Sequence, residues 1–386
     1  MKTNLRRRSG CVLLIISGIL GPLANSQSFD LPPRPPGSLT GDELVAVLTP
    51  LSRTAREDRL FSEIMSGNVP DFLRALVPVT SSASVAGTTK TVTFFITPEY
   101  MAVGGNENYF LAPMTPILAQ QLADSLVCIL PTRKMVNAIY EAASVKLAPA
   151  PIPPSAEMIT VPVFARHDSM VWAQRSPLLA SHPLGTLVGG TKKDVVISNK
   201  IRNELKSGVP KPVVIYGWHQ IDGSPIQPLY NGHGETYADY SHGIRLVLDS
   251  AGIDGVPVSI SALLQDPVLS SILSDEGSIP VPRYGDPITN VEDREDEGGE
   301  GAAILQSYPN PFNPETTIRF VLRSASHVRM TIHDLLGRQI GILLDHEAKP
   351  GWHTALLNGS AMASGMYVCR LETGSFTVSK KILLAR

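Results

Sequence analysis

Apolar and polar positions change period several times along the chain. At 40–48, Thr-Gly-Asp-Glu runs into Leu44-Val45-Ala46-Val47-Leu48. A Thr followed three residues later by Glu is a capping box, so a helix is predicted to open here. Over 54–76, Leu60, Phe61, Ile64, Phe72, Leu73 and Leu76 fall roughly on one helical face, and Pro70 should kink or divide the segment. TKTVTFFI at 89–96 is β-branched and aromatic and predicts a strand. Helical spacing returns over 115–140 and breaks at Leu130-Pro131, giving one helix before Cys128 and another from Thr132 onward. Strand-like runs follow at 158–165, 186–198, 211–218 and 237–248, then a short helix at 260–273.

These elements predict an α+β main domain over 40–285, with helices first and a mainly antiparallel sheet later. QSFDLPPRPPGSL at 27–39 reads as an extended, proline-rich leader. Residues 286–304 read as a linker, because VEDREDEGGE at 291–300 is acidic and has nothing to bury. From 305 to 386 short alternating runs are separated by turns, as at His327–His333, where Val328, Met330 and Ile332 share a face. That spacing predicts an all-β sandwich.

Composition narrows the class. Of 386 residues, 43% are hydrophobic and 18% charged, enough for ordinary buried cores in two or three domains. The net charge of −2 gives no sign of a nucleic-acid partner. The N-terminus places Lys2, Arg6, Arg7 and Arg8 before a short apolar run and Ala24-Asn25-Ser26. This is the pattern of a secretory signal peptide, 1–26, cleaved after Ser26. It implies the general export machinery as a partner, and no later run is long enough to span a membrane. Only Cys128 and Cys369 would remain, in different domains, so no disulfide framework is expected.

The oddest run is YPNPFNPETT at 308–317. Each proline fixes its own φ, removes a backbone donor and pushes the preceding residue toward extended backbone. Tyr308 and Phe312 are candidate anchors, with Pro309, Asn310, Pro311, Asn313 and Pro314 stiffening the path between them. Further on stand DLLGR with Gly337, PGWH at 350–353, and SGMYVCRL with Gly365 and Tyr367. In this order the segment resembles the C-terminal sorting domain of type IX secretion cargo. The resemblance covers essentially all of 305–386. It implies a seven-strand, immunoglobulin-like sandwich read by an outer-membrane translocon, and a secreted or cell-surface protein that passes through the periplasm.

The main domain carries its candidate chemistry in 216–243. His219, His233, His242, Glu235 and Asp239 crowd a glycine-rich stretch. One reading is a cysteine hydrolase. Cys128 near a helix start would gain thiolate character, His242 or His219 would act as base, and Asp239 would orient it. The order of elements resembles that of NlpC-type peptidases acting on cell-wall peptides, although Leu126-Val-Cys-Ile stands where that family has Asp-Cys-Ser-Gly. A second reading is a hydrolytic zinc centre on His219, His233 and His242; no other cofactor is suggested. A third is a non-enzymatic module whose Tyr230, Tyr237 and Tyr240 bind carbohydrate or peptide of a surface polymer. Thr191-Lys-Lys-Asp194 reads as solvated surface or as a contact for a substrate carboxylate.

Overall fold

The computed structural model describes residues 27–285 and 306–384, apart from 30, 204–208, 210, 255, 309–311, 323–324, 335–336, 350 and 375–376. The predicted signal peptide 1–26, the linker 286–304 and Pro309, Asn310 and Pro311 lie outside the described residues. The chain divides into two compact units, Met1–Pro287 and Ile288–Arg386.

In the first unit the predicted capping box is formed. Thr40 Oγ1 accepts from the Glu43 N–H, and the Glu43 carboxylate accepts from the Thr40 N–H at 2.8 Å, opening α1 (Gly41–Leu48). Pro70 separates α2 (Arg53–Met65) from the short α3 (Asp71–Arg74). A hairpin follows, β1 (Val77–Val85) and β2 (Thr88–Ile96), turning through Ala86 and Gly87, both at positive φ. Next come β3 (Ala102–Gly105), β4 (Asn108–Leu111), α4 (Pro116–Ser125), β5 (Cys128–Ile129), α5 (Arg133–Ala142) and β6 (Val145–Lys146). The remaining elements are α6 (Val161–Arg175), β7 (Val188–Gly189), β8 (Lys193–Val195), β9 (Pro212–His219), β10 (Pro225–Gly234), β11 (His242–Gly243), β12 (Val247–Ile253), β13 (Val256–Val258) and α7 (Ile260–Gln265).

Pairing is mostly antiparallel. One sheet runs β1-β2-β12-β13 with β5 also on β12, and another runs β10-β9-β8-β11. The β8–β11 and β6–β7 pairs are parallel. β9 lies between β10 and β8, so all eight of its residues are buried and it reads as a continuous apolar run. The leader packs onto this unit. Phe29 and Leu31 are buried, and the Phe29 N–H donates to the Arg74 carbonyl.

Two sequence expectations are corrected here. Residues 158–165 do not form a strand; they open α6 through a short 3-10 turn. Val161, Val163 and Ala165 alternate as in a strand, but the buried positions are Val161, Phe164, His167, Val171 and Arg175, a helical spacing. Two of those five are polar, which masks the helical period in a hydropathy reading. Thr191, Lys192 and Asp194 are not surface residues either: each is at most 3% exposed.

The second unit is β-rich. Its strands are β14 (Gln306–Tyr308), β15 (Glu315–Leu322), β16 (Ser326–His333), β17 (Gln339–Ala348), β18 (Gly351–Asn358), β19 (Gly365–Thr373) and β20 (Thr377–Leu384). They pair as β14-β15-β18 and β17-β16-β19-β20, all antiparallel. One apolar cluster draws on both sheets, with Ile318 and Phe320 from one and Val328, Met330, Cys369 and Ile382 from the other. Burial pushes the Cys369 thiol up to about 12, so this cysteine is a small core residue.

Candidate functional site

An open cleft of about 280 Å³ lies against α1, the β3–β4 hairpin and α6. Local sequence explains how its walls meet. A Cβ on Gly41 would stand 2.5 Å from the Tyr109 carbonyl carbon, so only glycine lets α1 approach the hairpin this closely. Asn108 then bonds Asp42 twice. Its Oδ1 accepts from the Asp42 N–H at 3.0 Å, and its Nδ2 donates to the Asp42 carboxylate at 2.7 Å. On α6, Asp168, Val171, Trp172 and Arg175 follow at i, i+3, i+4 and i+7, so one helix face enters the cleft.

The floor carries chemistry. Glu99 is 4% exposed and Arg175 is 3% exposed. Asp168 is half-buried. The Glu99 Oε1 accepts from the Tyr100 N–H at 3.1 Å and from the Thr191 hydroxyl at 3.5 Å. The Asp168 Oδ1 accepts from the Leu111 N–H at 3.1 Å, which fixes that oxygen. Burial pushes both carboxyl groups above the usual carboxylate range. For Asp168 the Lys192 ammonium works against that rise, and for Glu99 the Arg245 guanidinium does. Arg175 donates through Nη2 to the Pro183 carbonyl at 2.9 Å, while its Nη1 is buried without a partner. An aromatic edge completes the cleft. Tyr109 meets Phe72 at 5.1 Å and Trp172 at 5.7 Å, both edge-on, and Trp172 is 38% exposed.

Behind the floor stands a buried polar layer. Lys192 Nζ donates to the Tyr240 carbonyl at 2.8 Å and lies 3.3 Å from His167 Nδ1. Burial lowers its ammonium pKa, against the pull of Asp168, Asp239 and Glu99. Tyr100 donates to Asp194 at 2.8 Å, and Arg245 covers the Tyr100 ring at 4.4 Å. Arg245 also donates to the carbonyls of Thr97 and Val188, pinning the segment that carries Glu99. Burial pushes the Asp194 carboxyl up to about 6.

The residues singled out in the sequence lie elsewhere. Cys128 is buried on β5, and its Sγ donates to the Leu126 carbonyl at 3.3 Å. The first turn of α5 is capped by Thr132, whose Oγ1 accepts from the Met135 N–H at 3.2 Å. His219 ends β9, stacks on Tyr140 at 4.5 Å and sits 3.0 Å from Asn137 Oδ1. His233 stacks on Tyr237 at 4.0 Å. Asp239 and His242 are brought into electrostatic range of each other, with the Asp239 carboxylate accepting from the N–H and hydroxyl of Ser241. His242 is fully buried and both of its ring nitrogens lack a partner. Burial lowers His219 and His242 to about 4. The zinc reading finds no support here: among the described residues no three His, Cys, Asp or Glu gather as a metal site.

Sequence reasoning missed Glu99, Asp168 and Arg175. One signal was present for two of them: Asp168, Trp172 and Arg175 recur at i, i+4 and i+7 and so share one helical face.

In the second unit, the proline-rich run links β14 to β15, with Tyr308 opposite Thr317. Phe312 is 1% exposed and its N–H donates to the Leu383 carbonyl at 2.8 Å. Asn313 and Pro314 are exposed, joined by a cis peptide bond. Gly337 turns at φ +79°, its N–H donating to the Asp334 carbonyl at 3.0 Å. Gly365 opens β19, and the buried Tyr367 donates to the Ala363 carbonyl at 2.7 Å.

The second unit is therefore a β-rich module. Residues 306–385 match the family described as the secretion system C-terminal sorting domain. This supports export by the type IX route, to the medium or the outer-membrane surface. No curated protein matches the chain. Among the described residues, no helix is long and apolar enough to cross a membrane.

Proposed function

We propose that this protein is an exported hydrolase of cell-envelope or extracellular polymers, acting through Asp168 and Glu99. The observation that carries the reading is the meeting of two raised carboxyl groups and an unpartnered guanidinium N–H in one aromatic-edged cleft. Asp168, protonated, gives its Oδ2 proton to the leaving-group oxygen or nitrogen as that bond breaks. Glu99, ionised, takes a proton from the attacking water, whose oxygen forms the new bond. The Arg175 guanidinium, buried at the cleft wall, supplies positive charge against the negative charge that develops on the substrate. Trp172 and Tyr109 offer apolar faces to a ring or side chain beside the scissile bond.

Delivery follows from the tail. The signal peptide would take the chain to the periplasm, and the sorting domain would present it to the outer-membrane translocon. Two sheets around one core support the immunoglobulin-like sandwich that the resemblance implies.

The test is hydrolysis of isolated cell walls and extracellular polysaccharide by the purified protein. Asp168→Asn still accepts from the Leu111 N–H yet cannot donate as an acid. It and Glu99→Gln should each lower the rate by about 10²-fold or more with an unchanged circular dichroism spectrum. Full activity in both variants would sink the assignment.

A further inference from the structure

A second concavity, about 270 Å³, lies on the same unit and belongs to no part of the cleft. Its lining includes Thr49, Arg53, Arg56, Thr160, Val161 and Tyr237. Two helices begin there. α2 opens at Ser52, whose side chain caps only the Ala55 N–H, and α6 opens at Thr160, whose side chain makes no cap. Thr160 instead donates its hydroxyl to the Glu157 carbonyl. First-turn N–H groups have no helical carbonyl to bond, and they carry the positive end of the helix dipole, although Pro162 in the first turn of α6 has no N–H to offer.

The independent observation is Arg56. It is 7% exposed, donates through Nη1 to the Ile159 carbonyl at 3.2 Å and lies 5.0 Å over the Phe164 ring, yet its Nε is buried without a partner. A guanidinium N–H left unpaired inside a protein is costly unless something else accepts from it. Arg53 stands one turn earlier, 3.7 Å from Glu57 and 40% exposed at its side chain. α1 brings its C-terminal end to the rim through Thr49, an unfavourable dipole end for an anion, but one that two guanidinium groups and two helix starts outweigh.

We propose that this concavity binds an oxyanion, the phosphate or carboxylate group of an anionic polymer. Thr160 and Asp168 are eight residues apart on α6, ~12 Å by the helical rise. Thr49 and Asp42 mark the same two sites from α1, ~10 Å apart. A chain held by its charged group at Arg56 would extend toward the cleft. The inference therefore rests on the hydrolase reading for its claim about substrate, while the oxyanion site stands without it.

Isothermal titration of the full protein with inorganic phosphate, and separately with acetate, tests the site. Saturable binding of at least one is expected. Arg53→Gln and Arg56→Gln should weaken it at least tenfold, and Asp168→Asn should leave it unchanged. Arg53 is exposed where Arg56 is buried, so Arg53→Gln remains informative if Arg56→Gln fails to fold. Phosphate binding without acetate binding assigns the ligand to phosphorylated polymers, and the reverse to carboxylated ones. No saturable binding of either ion, or equal binding by wild type and Arg53→Gln, overturns the proposal. Binding lost in Arg53→Gln, in a protein that hydrolyses no polymer, keeps the oxyanion site and removes the hydrolase reading.

Discussion

Lys192 Nζ lies 3.3 Å from His167 Nδ1, inside the protein and beside the residue that precedes Asp168. An ammonium can only donate, so Nδ1 must accept and the ring proton sits on Nε2, which is buried without a partner. Burial and the Lys192 charge together lower His167 to about 2, so it stays neutral at any working pH. The pair holds the residue before β8 against α6, next to Asp168.

Lys192→Met should therefore change the acid it sits near. Lys192 draws the Asp168 carboxyl down against burial. Without it the Asp168 group rises further. If Asp168 must be protonated to act, the alkaline limb of the pH–rate profile should move to higher pH. A limb that stays in place in a folded Lys192→Met protein would show that Lys192 does not tune this acid.

His242 makes a separate prediction about stability. Its folded-state value is about 4, below the ordinary 6.5. The unfolded chain thus takes up a proton that the native chain refuses, and stability falls as pH drops from 6.5 through 4. The full effect is of order 3 kcal/mol, at ~1.4 kcal/mol per pH unit. Asp194, raised to about 6, pulls the other way, so total stability is not a clean readout. The comparison is urea unfolding of wild type and His242→Gln at several pH values. The wild type should lose stability relative to the variant across this window. Parallel curves would mean that His242 titrates normally.

Cys128→Ala should leave hydrolysis unchanged. The thiol is spent on the Leu126 carbonyl and the cap of α5 belongs to Thr132. Removing one buried sulfur should cost about 1 kcal/mol. Abolished activity in a stably folded variant would restore the thiol mechanism and displace Asp168.

Removing residues 306–385 should hold the main domain in the periplasm of a host with the type IX route. Extracellular yield, measured by immunoblot against the intact protein, checks this. Equal yields would separate the tail from export.

What the sequence determined by itself was local. Thr40 and Glu43 cap a helix through atoms three residues apart, and Pro70 stands in the break between α2 and α3, immediately before the first residue of α3. The β-branched run at 89–96 is a strand because its side chains suit one. The tail was readable because ordered short motifs, from YPNPFNP to SGMYVCRL, lie close together in the chain. The cleft was not readable. Glu99, Asp168 and Lys192 look like ordinary charged residues in sequence, and their chemistry arises only once packing removes them from water. The α6 helix was misread for the same reason, since His167 and Arg175 occupy core positions that hydropathy assigns to solvent. Burial of a charge depends on every element that covers it, so only the tertiary structure could turn scattered acids and bases into one site.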